Sequence, residues 1–218
     1  MKENYEIHHE HAVLCEGADE KYFLISYFNS KTLRQVHPGF ADNIDIFDFG
    51  GNQDLPGILN LFQKTPGYSA LKSLLIIRDA EADARKAVSE IRHALQRNDL
   101  PVPENPCQWE EGTPKVSFLL FPSCSSVLED GALENLCLKL LVKKLPEDVP
   151  ERVDQFLREL EKERGSAFPR RFKNQLHTYF SVTDQLVGMK VGEAAKANAF
   201  DWESPILDPF RKHMLEVL

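Results

Sequence analysis

Two carboxylates stand where apolar runs stop. In "HAVLCE" (residues 11–16) the run ends on Glu16, with Gly17 directly behind it. In "SLLIIRDAE" (73–81) it reaches Asp79, followed at alternate positions by Glu81 and Asp83. Open α/β sheets bind ligands outside the carboxyl ends of their strands, which is where these acids fall. If the first and third strands are neighbours, the carboxylates converge, and such a cluster repels itself without a counter-ion. Hard divalent cations with oxygen ligands, Mg²⁺ or Mn²⁺, would resolve that repulsion. Gly17 would let the backbone turn sharply and a bulky ligand approach. Each acid also has a plainer reading. Asp79 or Asp83 would cap the following helix, and Glu16 would be a solvated strand end.

The elements that must position these acids can be read from periodicity. Strands are expected at 11–16, 43–51, 73–81 and 115–122, and helices at 18–29, 55–64, 82–97 and 131–145. Within 18–29, Tyr22, Phe23, Ile25 and Ser26 lie near helical spacing; within 82–97, Ala87, Ile91, Ala94 and Leu95 share one face. Strands alternating with helices imply a mainly parallel sheet, and near-continuous apolar runs such as "LLII" and "FLLF" imply cover on both faces. Residues 1–146 are expected to form this α/β domain. Residues 147–218 show only helical patterns, at 149–165, 168–182, 191–200 and 205–218, and are expected to be a C-terminal helical extension packed on it.

Composition narrows the function. The chain has 218 residues and a formal net charge of -8, so its overall field does not attract nucleic acid. Binding to such a partner needs bridging metal ions or a local basic patch. No run approaches the roughly 20 apolar residues of a membrane-spanning helix. "MKENYEIHHEHAV" lacks the apolar core of a signal peptide, so the expectation is a cytoplasmic protein without a membrane partner. Cys15, Cys107, Cys124 and Cys137 show no zinc spacing and read as reduced, mostly buried thiols.

An apolar strand, Glu-Gly, a helix and then "LLIIRDAEAD" together resemble the Toprim domain of topoisomerases, primases and OLD-family nucleases. The resemblance covers residues 1–145 and implies a four-stranded sheet of order 2-1-3-4. It also implies divalent-metal chemistry on phosphodiesters. Glu16 matches the acid after the first strand and Asp79 the first Asp of the paired motif. Glu81 stands where a second Asp is usual, keeping the charge on a longer arm, and Asp83 would substitute or assist. "FPSCSSVLEDGALENLCLKLL" resembles small bacterial Toprim-like proteins related to OLD nucleases, in which a Glu on the helix after the fourth strand belongs to the metal site; here that is Glu134. The closing "AAKANAFDWESPILDPFRKHM" resembles the end of the same small proteins.

The resemblance implies phosphoryl transfer assisted by Mg²⁺ or Mn²⁺, with Glu16 and Asp79 catalytic and Glu16 the general base. The metal set would be Glu16, Asp79, Glu81, Asp83 and Glu134. A topoisomerase would need a tyrosine on a supporting domain, and a primase a zinc module; the sequence has neither. Cations should face the phosphate. Gly17, Lys21 and Arg78 lie near the strand ends, and "FPRRFKNQLH" supplies Arg170, Arg171 and Lys173 between Phe168 and Phe172. Lys21 and Arg78 could equally pair with neighbouring acids, and the basic run could be a solvated helix face. His8, His9 and His11 alternate along a strand lead-in and are poorly disposed to share an ion. "DFGGN" (48–52) lacks the Lys and hydroxyl of a P-loop, and "SCSS" (123–126) has no His placed to activate it. The main reading is a metal-dependent nuclease. Its rivals are a non-catalytic interaction protein that kept the fold, and a subunit whose protein partner supplies the nucleic-acid surface.

Overall fold

The computed structural model describes residues 6–51, 54–142 and 148–216. Four parallel strands, β1 (His11–Cys15), β2 (Ile44–Asp48), β3 (Ser73–Asp79) and β4 (Lys115–Phe121), form one sheet in the order 2-1-3-4. The fold is therefore α/β, with the first and third strands side by side. Cys15 lies level with Ile77, which brings the residues that follow, Glu16 and Arg78, to the same rim.

Alternation along the strands sorts side chains into two cores. Val13, Cys15, Leu75, Ile77, Leu119 and Phe121 face one way; Leu14, Leu74, Ile76, Val116, Phe118 and Leu120 face the other. The second face is covered by α3 (Leu55–Phe62) and α4 (Ala84–Arg97). Pro56 does not obstruct α3, because Asp54 caps it and proline is tolerated in a first turn. The expected face of α4, Ala87, Ile91, Ala94 and Leu95, is buried.

The first face is covered by α1 (Ala18–Phe28), α5 (Leu133–Leu140) and the C-terminal helices α7 (Arg171–Ser181), α8 (Val191–Lys196) and α9 (Asp208–Leu215). Helix α1 buries Phe23, Leu24, Tyr27 and Phe28, while Tyr22 is 54% exposed, so its inner face is turned from the one spacing suggested. Phe23 packs edge-on to Trp202 at 5.1 Å and lies 5.7 Å from Phe200; Tyr27 stacks on Phe210 at 5.6 Å. Each such pair adds about 0.5–1.5 kcal/mol beyond area burial. The C-terminal helices thus share a hydrophobic core with the sheet. The expected boundary at 146/147 lies outside the described residues.

Helix α8 lies against α1 at a glycine. A Cβ on Gly192 would meet Tyr22 Cβ at 2.6 Å, and the Gly192 N–H donates to Asp19 at 3.1 Å. Gly192→Ala should force the helices apart and cost about 1–3 kcal/mol, as overpacking does. A denaturant midpoint equal to that of the parent would contradict this contact.

A short helix, α2 (Lys31–Val36), follows α1, capped by Ser30, whose Oγ accepts from the Leu33 N–H at 3.4 Å. It buries only Leu33, too little for periodicity to reveal. Helix α6 (Val149–Arg164) ends at Gly165, whose φ of 71° is left-handed, and packs on α7. Among the described residues no helix is long and apolar enough to cross a membrane. All four cysteines are free, and Cys15, Cys124 and Cys137 are buried.

Ser117, His213 and Glu216 form a line that resembles a nucleophile–base–acid triad. Ser117 Oγ and His213 Nε2 are 2.8 Å apart, and His213 Nδ1 and Glu216 Oε2 are 3.6 Å apart. Ser117 is fully buried within β4 and His213 is 3% exposed, stacked on Trp109 at 4.9 Å. No substrate reaches a sealed hydroxyl, so this line is a polar latch holding α9 to the sheet.

Candidate functional site: an acid cluster at the sheet's carboxyl rim

Four carboxylates gather where β1 and β3 end and α1 and α5 begin. Asp79 closes β3 and faces α5, as the parity it shares with Leu75 and Ile77 requires. It is 5% exposed, and its Oδ1 accepts from the Leu133 N–H, the first of α5, at 2.9 Å. Glu134, the next residue, is 6% exposed. Glu16 follows β1, and Glu20 lies one turn later in α1. All occupy helix N-terminal turns or strand ends, where the positive end of a helix dipole favours negative charge.

The local sequence explains α5. Gly131 has φ 134°, and a Cβ there would meet Asn135 Oδ1 at 2.6 Å. That same oxygen accepts from the Ala132 N–H at 2.9 Å, so the asparagine reaches back over the first turn. Gly131 and Glu81 exchange both backbone hydrogen bonds, each 2.7 Å. "GALEN" therefore ties the start of α5 to the loop after β3 and delivers the Leu133 N–H to Asp79.

Crowding raises proton affinity. Burial pushes the Asp79 carboxyl well above the usual carboxylate range, aided by the charges of Glu20, Glu134 and Glu16 and opposed by the Leu133 N–H. Glu20 is pushed up to about 7, again first by burial, with Glu16, Glu134 and Asp19 adding to it and a backbone hydrogen bond opposing. Folding therefore takes up protons between the ordinary Glu value of 4.5 and about 7, so stability falls as pH rises through that window. With chelator present, Glu20→Gln should remove on the order of 2 kcal/mol of that fall between about pH 5 and 8. Parallel stability–pH curves for the parent and the variant would contradict it.

Two protein cations stand beside the cluster. Lys173 Nζ, on α7, lies 3.0 Å from Glu134 Oε1. Burial lowers the Lys173 pKa, but the bond to Glu134 outweighs it and the net shift is upward. Arg78 Nε lies 3.6 Å from Glu16 Oε2, and its Nη1 donates to Glu90 Oε2 at 3.4 Å. Even so, Glu16 Oε2, Glu134 Oε2 and Arg78 Nε are all buried without a hydrogen-bond partner. Among the described residues, no three His, Cys, Asp or Glu side chains are arranged as they stand to hold one metal ion. Three of the four acids are turned to partners of their own: Glu16 to Arg78, Glu134 to Lys173, Asp79 to the Leu133 N–H.

The remaining residues singled out in the sequence are placed as follows. Glu81 and Asp83 are exposed and outside the cluster. Asp83 caps α4, its Oδ1 accepting from the Lys86 N–H at 3.0 Å, and Asp130 accepts from the Ala84 N–H at 2.8 Å. Glu81 has φ 54° and serves through its backbone pairing with Gly131. Gly17 is extended rather than sharply turned; what it provides is room, since a Cβ would come within 2.9 Å of Glu20 Oε2. Lys21 reaches Asp48 at 3.6 Å, at the end of β2.

The basic run is divided among three roles. Arg171 clamps α6 to α7 through Asp154 at 2.6 Å and Glu161 at 3.1 Å, Lys173 turns inward to Glu134, and Arg170 is exposed. His9 pairs with Asp45 and His11 with Ser73, so the two do not share a site. Glu20 is the member that sequence reasoning missed. The spacing Glu16-x-x-x-Glu20, one helical turn from a strand-end acid, was the available signal.

Beside the cluster a cleft of about 510 Å³ runs along α4, lined by Arg78, Asp79, Glu81, Lys86, Glu90 and His93 among others. No curated protein and no solved structure matches the chain. A family model described as "Protein of unknown function (DUF3226)" matches residues 10–218, which include every acid of the cluster. By that match across nearly its whole length, the chain belongs to the DUF3226 family.

Proposed function

We propose that the acid cluster is a divalent-cation site and that the protein is a metal-dependent phosphoryl-transfer protein of Toprim type, acting as a nuclease. The observation that carries this reading is the pair of buried carboxylate oxygens, Glu16 Oε2 and Glu134 Oε2, that accept no hydrogen bond, the former only loosely paired with Arg78, beside an Asp79 whose charged form is disfavoured. Buried unsatisfied acceptors are rare and call for an explanation, and a cation between them is the economical one. The donor set, all carboxylate oxygen, suits Mg²⁺ or Mn²⁺. Glu16, Asp79 and Glu134 would hold the ion, and Glu20 supplies further negative charge within the cluster. When bound, the ion would neutralise phosphate charge at the site. Glu16 would be the acceptor for a proton from water or a hydroxyl, since its Oε2, 3.6 Å from Arg78 Nε, accepts no hydrogen bond. The cleft along α4 opens beside Arg78, on the side of the rim where a phosphodiester would meet its guanidinium.

A second reading has its own observation. Lys173 and Arg78 already supply two positive charges, as a non-catalytic protein that kept the fold would need. Cleavage of labelled single- and double-stranded DNA and RNA with Mg²⁺ or Mn²⁺ separates the readings. The nuclease reading expects metal-dependent cleavage that Asp79→Asn abolishes. Absence of cleavage together with metal binding favours a binding protein, or a subunit that works with a protein partner.

A further inference from the structure

Arg78 and Glu16 are an ion pair that does not close. Their facing atoms, Nε and Oε2, are 3.6 Å apart, and both are buried and unpartnered. Arg78 is 9% exposed, and its guanidinium is divided between two carboxylates, Glu16 at the rim of β1 and Glu90 on α4. Strand parity accounts for this. Arg78 follows Ile77 and so points to the α4 face, whereas Asp79 points to the α5 face. Glu16 stands between them at the rim. Its Oε2 faces Arg78 Nε, while its charge is also felt at Asp79. Lys173 differs, because it makes a full 3.0 Å bond with Glu134.

We infer that Arg78 is a resident counter-ion that a divalent cation displaces from Glu16, with Glu90 and the cleft beside α4 receiving the released guanidinium. This rests on the cation-site reading above. The physical logic is competition for one carboxylate. While Arg78 neutralises Glu16, a cation gains less by binding it; once Glu16 swings toward Asp79, Arg78 retains its bond to Glu90 and so is not left as an uncompensated charge. The exchange keeps the buried acids neutralised whether or not metal is present. It also places a guanidinium in the cleft, where it meets the ligand that follows the metal.

The test uses Mg²⁺, which is diamagnetic, and the whole chain. The Arg78 Nε–H resonance, assigned by its loss in Arg78→Lys, should be protected from solvent exchange without metal and lose that protection as Mg²⁺ binds. Arg78→Met should bind Mg²⁺ at least about tenfold more tightly in calorimetry, because the competing charge is gone. Mg²⁺ binding with the Nε–H still protected, and with an Arg78→Met affinity within about threefold of the parent, overturns the displacement and leaves the cation site standing. No binding of Mg²⁺ or Mn²⁺ by either protein at millimolar concentration overturns the cation site itself, and the displacement with it. Should Arg78→Met fail to fold, the exchange measurement on the parent protein decides alone.

Discussion

Asp79→Asn should abolish divalent binding while making the metal-free protein more stable. The carboxamide oxygen can still accept the Leu133 N–H that Asp79 Oδ1 now holds at 2.9 Å, so the start of α5 keeps its anchor. The amide NH₂ gains acceptors among the nearby carboxylates. What is lost is a charge that burial, Glu20, Glu134 and Glu16 all disfavour. Relieving it should add about 1–2 kcal/mol at pH 8 and less as pH falls and the parent carboxyl takes up its proton. Cation affinity should fall by about a hundredfold or more, because an amide oxygen brings no charge to a hard ion. Chemical denaturation at two pH values and a Mg²⁺ titration read both effects. A less stable variant, or one that binds Mg²⁺ as the parent does, would contradict the electrostatics of the cluster.

The opposite substitution should be the more damaging one. Lys173→Met removes the bonded cation of Glu134, a side chain 8% exposed, and leaves a buried carboxylate with both oxygens unsatisfied. Breaking a buried pair from one side costs several kcal/mol; with the Lys173 side chain 33% exposed, about 2–3 kcal/mol is expected at pH 8. Two rescues should follow. Glu134→Gln in the same chain should restore most of the loss, a coupling that a double-mutant cycle measures. Millimolar Mg²⁺ should restore part of it too, since ligand that binds only the folded state stabilises it. A Lys173→Met protein as stable as the parent would mean that Glu134 is not held by this pair.

Strand ends were the most legible part of the sequence. The runs closing on Glu16 and Asp79 are short, apolar and bounded, so both acids could be assigned to one rim before the strand order was known. The clear face of α4 could be read for the same reason. Glu134 was legible only through the pattern around "GALENL"; periodicity on an eight-residue helix says little. Glu20 was hidden because acids in a first helical turn are ordinary surface residues, and the local pattern does not show that its carboxylate lies over Gly17. The pairing of Lys173 with Glu134 joins residues far apart in the chain, which local pattern cannot reveal. That pairing is also why "FPRRFKNQLH" looked like one basic surface: its charges point to different partners once α6, α7 and α5 are packed. Asp83 and Glu81 looked like further ligands because alternation was extended past the end of β3. The strand stops at Asp79, and beyond it the chain turns to cap α4 and to meet Gly131.

The account stands on a cation belonging among Glu16, Glu20, Asp79 and Glu134. The most direct measurement is calorimetric titration with Mg²⁺ near pH 7 in two buffers of different ionisation enthalpy. Because Glu20 is pushed up to about 7 and Asp79 is raised as well, binding should be saturable and should release protons, so that the apparent heats differ between buffers. Absence of saturable heat up to millimolar Mg²⁺, or heats that persist unchanged when Asp79→Asn and Glu134→Gln are combined, would contradict it.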